Sequence, residues 1–207
     1  PPPNADFIAD EVCLNSLTGF TDVTSGSIIA WYWDFGDGNS DNTQNPQNAY
    51  ASPGVYTVTL IVTALNTCLD TLKKQVVVHA LPTADFILND ICEVDTIFIT
   101  DASSAPSPDS IISFAWDFGD GTTSFVQNPS HIYGDYGSYL VTLIVESNEG
   151  CKDTMQQVAV VSASPFADFN SNPHITNTEE PVNFTDQSSG SSSIPDTVQL
   201  VDWLWDF

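Results

Sequence analysis

Hydrophobic and polar positions alternate with a period of two along much of the chain. Tyr56, Val58, Leu60 and Val62 are interleaved with Thr57, Thr59 and Ile61, and Tyr139, Val141, Leu143 and Val145 repeat the arrangement. That period marks a strand with one buried face, because successive side chains leave a pleated backbone on opposite sides. Further strands are predicted at Ala5–Ala9, Thr18–Val23, Ile28–Phe35 and Gln75–His79, divided by Gly, Pro, Asn and Ser. No stretch sustains the period of a helix. Many short strands with turn signals between them predict an all-β chain of sandwich domains.

The chain also repeats itself. Ala5-Asp6-Phe7 recurs as Ala84-Asp85-Phe86 and Ala167-Asp168-Phe169. Trp33-Asp34-Phe35-Gly36-Asp37-Gly38 recurs as Trp116-Asp117-Phe118-Gly119-Asp120-Gly121, and Trp205-Asp206-Phe207 begins a third copy. A constant offset of 83 carries Asn45-Pro46 to Asn128-Pro129, Tyr50 to Tyr133, Tyr56 to Tyr139 and Cys68 to Cys151. Length variation is placed between Phe20 and Trp33, Phe98 and Trp116, and Phe184 and Trp205, separations of 13, 18 and 21 residues. The repeats divide the chain into domains at 1–80, 81–163 and 164–207. The last lacks the later motifs, so residues 165–207 are expected to be unstable without more chain. Pro1-Pro2-Pro3 is no signal peptide, and the sequence reads as an interior piece of a longer protein.

Phe-Gly-Asp-Gly suits a strand-ending turn, since glycine tolerates positive φ and an Asp carboxylate accepts backbone N–H bonds. Trp33 is expected to point into the core, with Trp31 on its face, as Phe114 and Trp203 in the other repeats. Core packing is the main reading of these aromatics, and a sugar-stacking platform is the alternative.

These motifs closely resemble polycystic-kidney-disease (PKD) domains, whose signature is Trp-Asp-Phe-Gly-Asp-Gly, then Asn-Pro-x-His-x-Tyr, then a Gly-x-Tyr-x-Val-x-Leu strand. The second repeat carries all three, at Trp116–Gly121, Asn128–Tyr133 and Gly137–Leu143, while the first has Asn48 where the pattern has His. The resemblance implies tandem immunoglobulin-like β-sandwiches arranged end to end, structural roles for the Trp-Asp-Phe-Gly-Asp-Gly residues, and a structural His131. The cysteine spacing is similar to PKD arrays of Bacteroidota surface proteins, including gliding-motility adhesins. Asp-Ser/Thr-apolar triplets resemble that phylum's O-glycosylation acceptor and mark Thr71, Thr96, Ser110, Thr154 and Thr197. Chance triplets in a Ser/Thr-rich acidic protein carry equal weight.

The strand order implied by the resemblance puts Cys13 and Cys68 at opposite poles of one sandwich. Those poles lie roughly 17–20 Å apart, whereas bridged Cα atoms lie about 4.4–6.8 Å apart. An inter-repeat Cys13–Cys151 bond is therefore favoured, with Cys68 and Cys92 reaching repeats on either side. Cys13–Cys68 with Cys92–Cys151 stays open.

Composition narrows the partners. The 207 residues carry 27 Asp+Glu against 3 Lys+Arg, a formal charge of −24. Three cations cannot neutralise a row of phosphates, which excludes nucleic acid, and no apolar run is long enough to insert in a membrane. With 42% hydrophobic residues the chain still builds cores. The sequence offers no nucleophile–base pair, phosphate loop or zinc spacing among His79, His131 and His174, so no enzyme is predicted. Calcium is the one ion candidate, with Asp101 and Asp109 best placed and Asp22 the counterpart in the first repeat. The reading is a non-catalytic extracellular spacer in a surface or filament protein, whose partners are neighbouring repeats and, as further candidates, surface glycans or other extracellular proteins, the latter through its variable loops. A carbohydrate-binding accessory module of a secreted hydrolase is the alternative.

Overall fold

The computed structural model describes residues 2–172, 182–189 and 204. It contains two compact units. The first comprises Pro1–Ala84, Ser103–Ser113 and Val145–Asp153, and the second Asp85–Ala102, Phe114–Ile144 and Thr154–Phe207. The described residues form strands and turns and contain no helix.

The first eight strands are β1 (Phe7–Ala9), β2 (Val12–Cys13), β3 (Leu17–Asp22), β4 (Ile28–Asp34), β5 (Ser40–Asp41), β6 (Gln47–Ala49), β7 (Gly54–Ala64) and β8 (Leu69–His79). They make a five-stranded sheet in the order β2-β8-β7-β4-β5 and a three-stranded sheet in the order β1-β3-β6. Alternation along β7 sends Val58, Leu60 and Val62 inward, and register sets Trp33 beside Leu60 and Trp31 beside Val62. Phe7 and Phe20 close the core from the other sheet, with the Phe7 ring edge-on to Trp33 at 5.1 Å. Each of these large side chains contributes about 1.5–3 kcal/mol by leaving water.

One sequence expectation changes here. The 69–79 strand is longer than predicted, because β8 follows β7 from Gly54↔Val78 to Thr63↔Leu69. At the sheet edge β2 lies parallel to β8, with Cys13 opposite His79.

The next nine strands are β9 (Phe86–Ile87), β10 (Ile91–Cys92), β11 (Thr96–Phe98), β12 (Thr100–Asp101), β13 (Ile111–Asp117), β14 (Thr123–Ser124), β15 (Ser130–Ile132), β16 (Gly137–Ser147) and β17 (Lys152–Ser162). Their sheet order, β10-β17-β16-β13-β14, repeats that of the earlier five. Phe98 is not the counterpart of Phe20. The N–H of Phe20 donates to Pro46 O and that of Ile99 to Pro129 O, and Ile99 is 1% exposed where Phe98 is 71% exposed. Alternation had to place Ile97 and Ile99 inward together, so the variable loop begins one residue later than the aromatic match suggests.

Two last strands, β18 (Phe169–Asn172) and β19 (Asn183–Asp186), pair antiparallel with Phe169 opposite Asp186. Phe169 and Phe184, counterparts of buried Phe7 and Phe20, are 53% and 40% exposed with rings 5.7 Å apart. Trp203 and the Trp205-Asp206-Phe207 motif lie outside the described residues.

Candidate functional site

The Trp-Asp-Phe-Gly-Asp-Gly segments are built as turns. Asp34 Oδ1 accepts from Gly36 N–H at 3.0 Å and Asp117 Oδ1 from Gly119 N–H at 2.9 Å. Gly36 (φ 77°) and Gly119 (φ 79°) lie against the Thr57 and Leu140 backbones, where a Cβ would come within 2.6 and 2.7 Å of the carbonyl oxygens. Gly38 and Gly121 share the left-handed conformation but face open space. Trp33 and Trp116 are 0% and 2% exposed, and their indole N–H groups donate to Thr43 O and Val126 O. Trp31 is half-buried and donates from its indole N–H to Asp22 Oδ2 at 2.8 Å. Phe114 is likewise half-buried.

The second Asp of each turn has a partner that sequence reading missed in one repeat. His131 Nε2 lies 2.7 Å from Asp120 Oδ2 while its ring stacks on Phe118. In the first repeat buried Asn48 donates from Nδ2 to Asp37 Oδ2 at 2.8 Å. Asn48 therefore takes the place of His131 in this bond. Burial by itself raises the Asp37 carboxyl, but the Asn48 and Asn39 hydrogen bonds outweigh it and hold the group below its ordinary 3.8. Asp120 is held low in the same way against its burial, by Thr122 and then His131. Burial, with the Asp37 charge adding to it, pushes Tyr50 up to about 12, and burial with the Asp120 charge does the same to Tyr133. Both hydroxyls donate to main-chain oxygens, Phe35 O and Phe118 O.

The Asp-Thr triplets also have structural work. Asp70 Oδ2 accepts from Ala5 N–H at 2.7 Å, and Asp153 Oδ2 from Ala84 N–H at 2.9 Å, so each carboxylate anchors the start of an Ala-Asp-Phe segment. Thr71, Thr96, Ser110 and Thr154 are all exposed, and Thr197 lies outside the described residues.

Cys13 is bonded to Cys151, with S–S 2.02 Å and Cα–Cα 5.6 Å, inside the first compact unit. Cys68 and Cys92 are free and exposed. Asp101, in the second unit, takes its N–H bond to Asn128 Oδ1 and accepts from Gln127 Nε2 at 2.9 Å. Asp22 makes the matching contacts with Asn45 and Gln44. Asp109, in the first unit, joins His79 and Glu149, with one ligand-type atom from each within 4.8 Å of the others. His79 and Glu149 carried no such reading in the sequence, since 70 residues separate them and no local spacing links them.

Fold and site together define a class: repeated immunoglobulin-like sandwiches whose recurring residues build turns and cores. The chain belongs to the PKD domain family, whose model matches residues 1–78 and again 79–163. It is 44% identical over 55 residues to collagenase ColA of Bacillus cereus, covering 27% of this chain and 6% of that protein. It is 35% identical over 92 residues to a microbial collagenase of Vibrio alginolyticus, covering 44% and 11%. The crystal structure of the PKD1 domain from the Vibrio cholerae metalloprotease PrtV is 38% identical, with a TM-score of 0.36, covering 39% of this chain and 96% of the domain. The chain thus matches only about a tenth or less of the length of these curated relatives.

Proposed function

We propose that this chain is a non-catalytic extracellular spacer, with PKD domains at 1–80 and 81–163 and the start of another at 164–207. The observation that carries the proposal is the Cys13–Cys151 bond, whose cysteines belong to successive family-matched stretches. A covalent tie between consecutive modules limits how far they separate under load, a property a spacer needs and a freely hinged accessory domain does not. Burial of Trp33 and Trp116 supports the same reading over a sugar platform. Attribution to a gliding-motility adhesin rests on cysteine spacing and the Asp-Ser/Thr triplets, with Thr71, Thr96, Ser110, Thr154 and Thr197 as glycosylation positions. Single-molecule pulling is the test. The oxidised chain should give a shorter releasable length than the reduced chain, and equal lengths would remove the tie from the mechanism.

A second reading is an accessory module of a secreted hydrolase. It is favoured by the relatives, two of which are named as collagenases. Retention of the purified chain on insoluble collagen or polysaccharide, abolished by substituting exposed aromatics such as Phe125, would favour it over the spacer.

A further inference from the structure

The first compact unit brings a histidine and several carboxylates together beside the disulfide. His79 ends β8, and its side chain is only 16% exposed. Its Nε2 lies 3.7 Å from Glu11 Oε2 and 3.8 Å from Glu149 Oε2. Both separations exceed a hydrogen bond. Metal bonds of about 2.0–2.2 Å set neighbouring tetrahedral ligands roughly 3.3–3.6 Å apart, a few tenths of an ångström inside these separations. Asp109 supplies a third member, within 4.8 Å of the His79 and Glu149 atoms.

The ligands are held from behind. Glu149 Oε1 accepts from Asn148 Nδ2 at 2.7 Å, while Oε2 is the oxygen directed at His79. Asn148 in turn exchanges bonds with Ser110, through Ser110 N–H to Oδ1 at 2.8 Å and Asn148 N–H to Ser110 O at 3.0 Å. That pair fixes the neighbours of Asp109 and Glu149 against each other. His79 is fixed by Leu14 N–H donating to its carbonyl at 2.8 Å and by its register with Cys13. Of these, the Asn148 bond to Glu149 Oε1 acts on a ligand group itself, the kind of outer contact that orients a metal ligand. Among the described residues, the lysine ion pairs go to Asp6 and Glu146 rather than to this cluster.

We propose that His79, Asp109 and Glu149 bind a divalent transition metal. One imidazole nitrogen with carboxylate oxygens suits Zn²⁺, whereas Ca²⁺ takes six to eight oxygens. The ion would tie together the β8 end, the 103–113 segment and the 148–151 turn, the last of which leads into the disulfide.

The test uses the full oxidised chain carrying Cys68→Ser and Cys92→Ser, which removes the free thiols as competing ligands. After chelation, Co²⁺ should give a visible ligand-field spectrum saturating at one ion per chain, displaced by Zn²⁺ but not by equimolar Ca²⁺. His79→Ala should weaken binding at least about tenfold, as should Glu149→Gln, with an unchanged circular dichroism spectrum. A flat titration, or the same spectrum in His79→Ala, would mean only diffuse binding to the acidic surface and would overturn the site. Equal competition by Ca²⁺ would also overturn it. Should His79→Ala fail to fold, ring resonances of the parent decide: a Zn²⁺-induced shift of His79 supports the site, and a shift confined to His131 or His174 refutes it.

Discussion

Gly36 and Gly38 flank Asp37, share a left-handed conformation and differ in what surrounds them. A Cβ at Gly36 would meet Thr57 O at 2.6 Å, whereas one at Gly38 would meet nothing within 4 Å. Gly36→Ala should therefore cost about 2–4 kcal/mol, a conformational penalty plus a backbone clash, against about 1 kcal/mol for Gly38→Ala. Denaturant unfolding of the two variants measures the difference. Titration behaves as predictably. Asp37 and Asp120 are depressed in the fold, so their contribution is fully present above the ordinary 3.8 and is lost as pH falls through the lower folded values. Tyr50 and Tyr133 are raised, so theirs is present below pH 10 and lost as pH rises toward about 12. Unfolding followed by circular dichroism should show both limbs, and absorbance at tyrosinate wavelengths should place the alkaline one. Asp37→Ala should shrink the acid limb and cost about 1 kcal/mol, given the partial exposure of the bond to Asn48.

At the scale of elements, the long strands and the short ones differ in how plainly they announce themselves. β7 and β16 are eleven residues each and alternate over most of their length, so pattern alone finds them. β2 is two residues long and exists only because β8 offers it an edge. That pairing sets Cys13 beside His79 at the end of the sheet, where Cys151 is bonded to it. Replacing Cys13 with Ser should lower stability by about 2–4 kcal/mol in denaturant. In the unmodified protein, iodoacetamide should label Cys68 and Cys92 without denaturant and spare Cys13 and Cys151. Recovery of a Cys13–Cys68 peptide under non-reducing conditions would contradict the pairing.

Across the molecule, the −24 charge is spread over the repeats and many of its carboxylates have local tasks: turns at Asp34 and Asp37, segment anchors at Asp70 and Asp153. The remaining charge should keep chains apart, so light scattering should rise as pH approaches the isoelectric point near 4.1 and fall again with distance from it. The all-β class, the repeat, the buried Trp33 and Trp116, and the turns are legible in the amino acids alone, because each depends on alternation or on a motif within a few residues. Tertiary structure alone decided that Ile99 rather than Phe98 faces the core, that Asn48 takes the place of His131, and that His79, Asp109 and Glu149 meet. Those outcomes depend on register and on which strands become neighbours, and long-range pairing brings together residues that no local spacing connects.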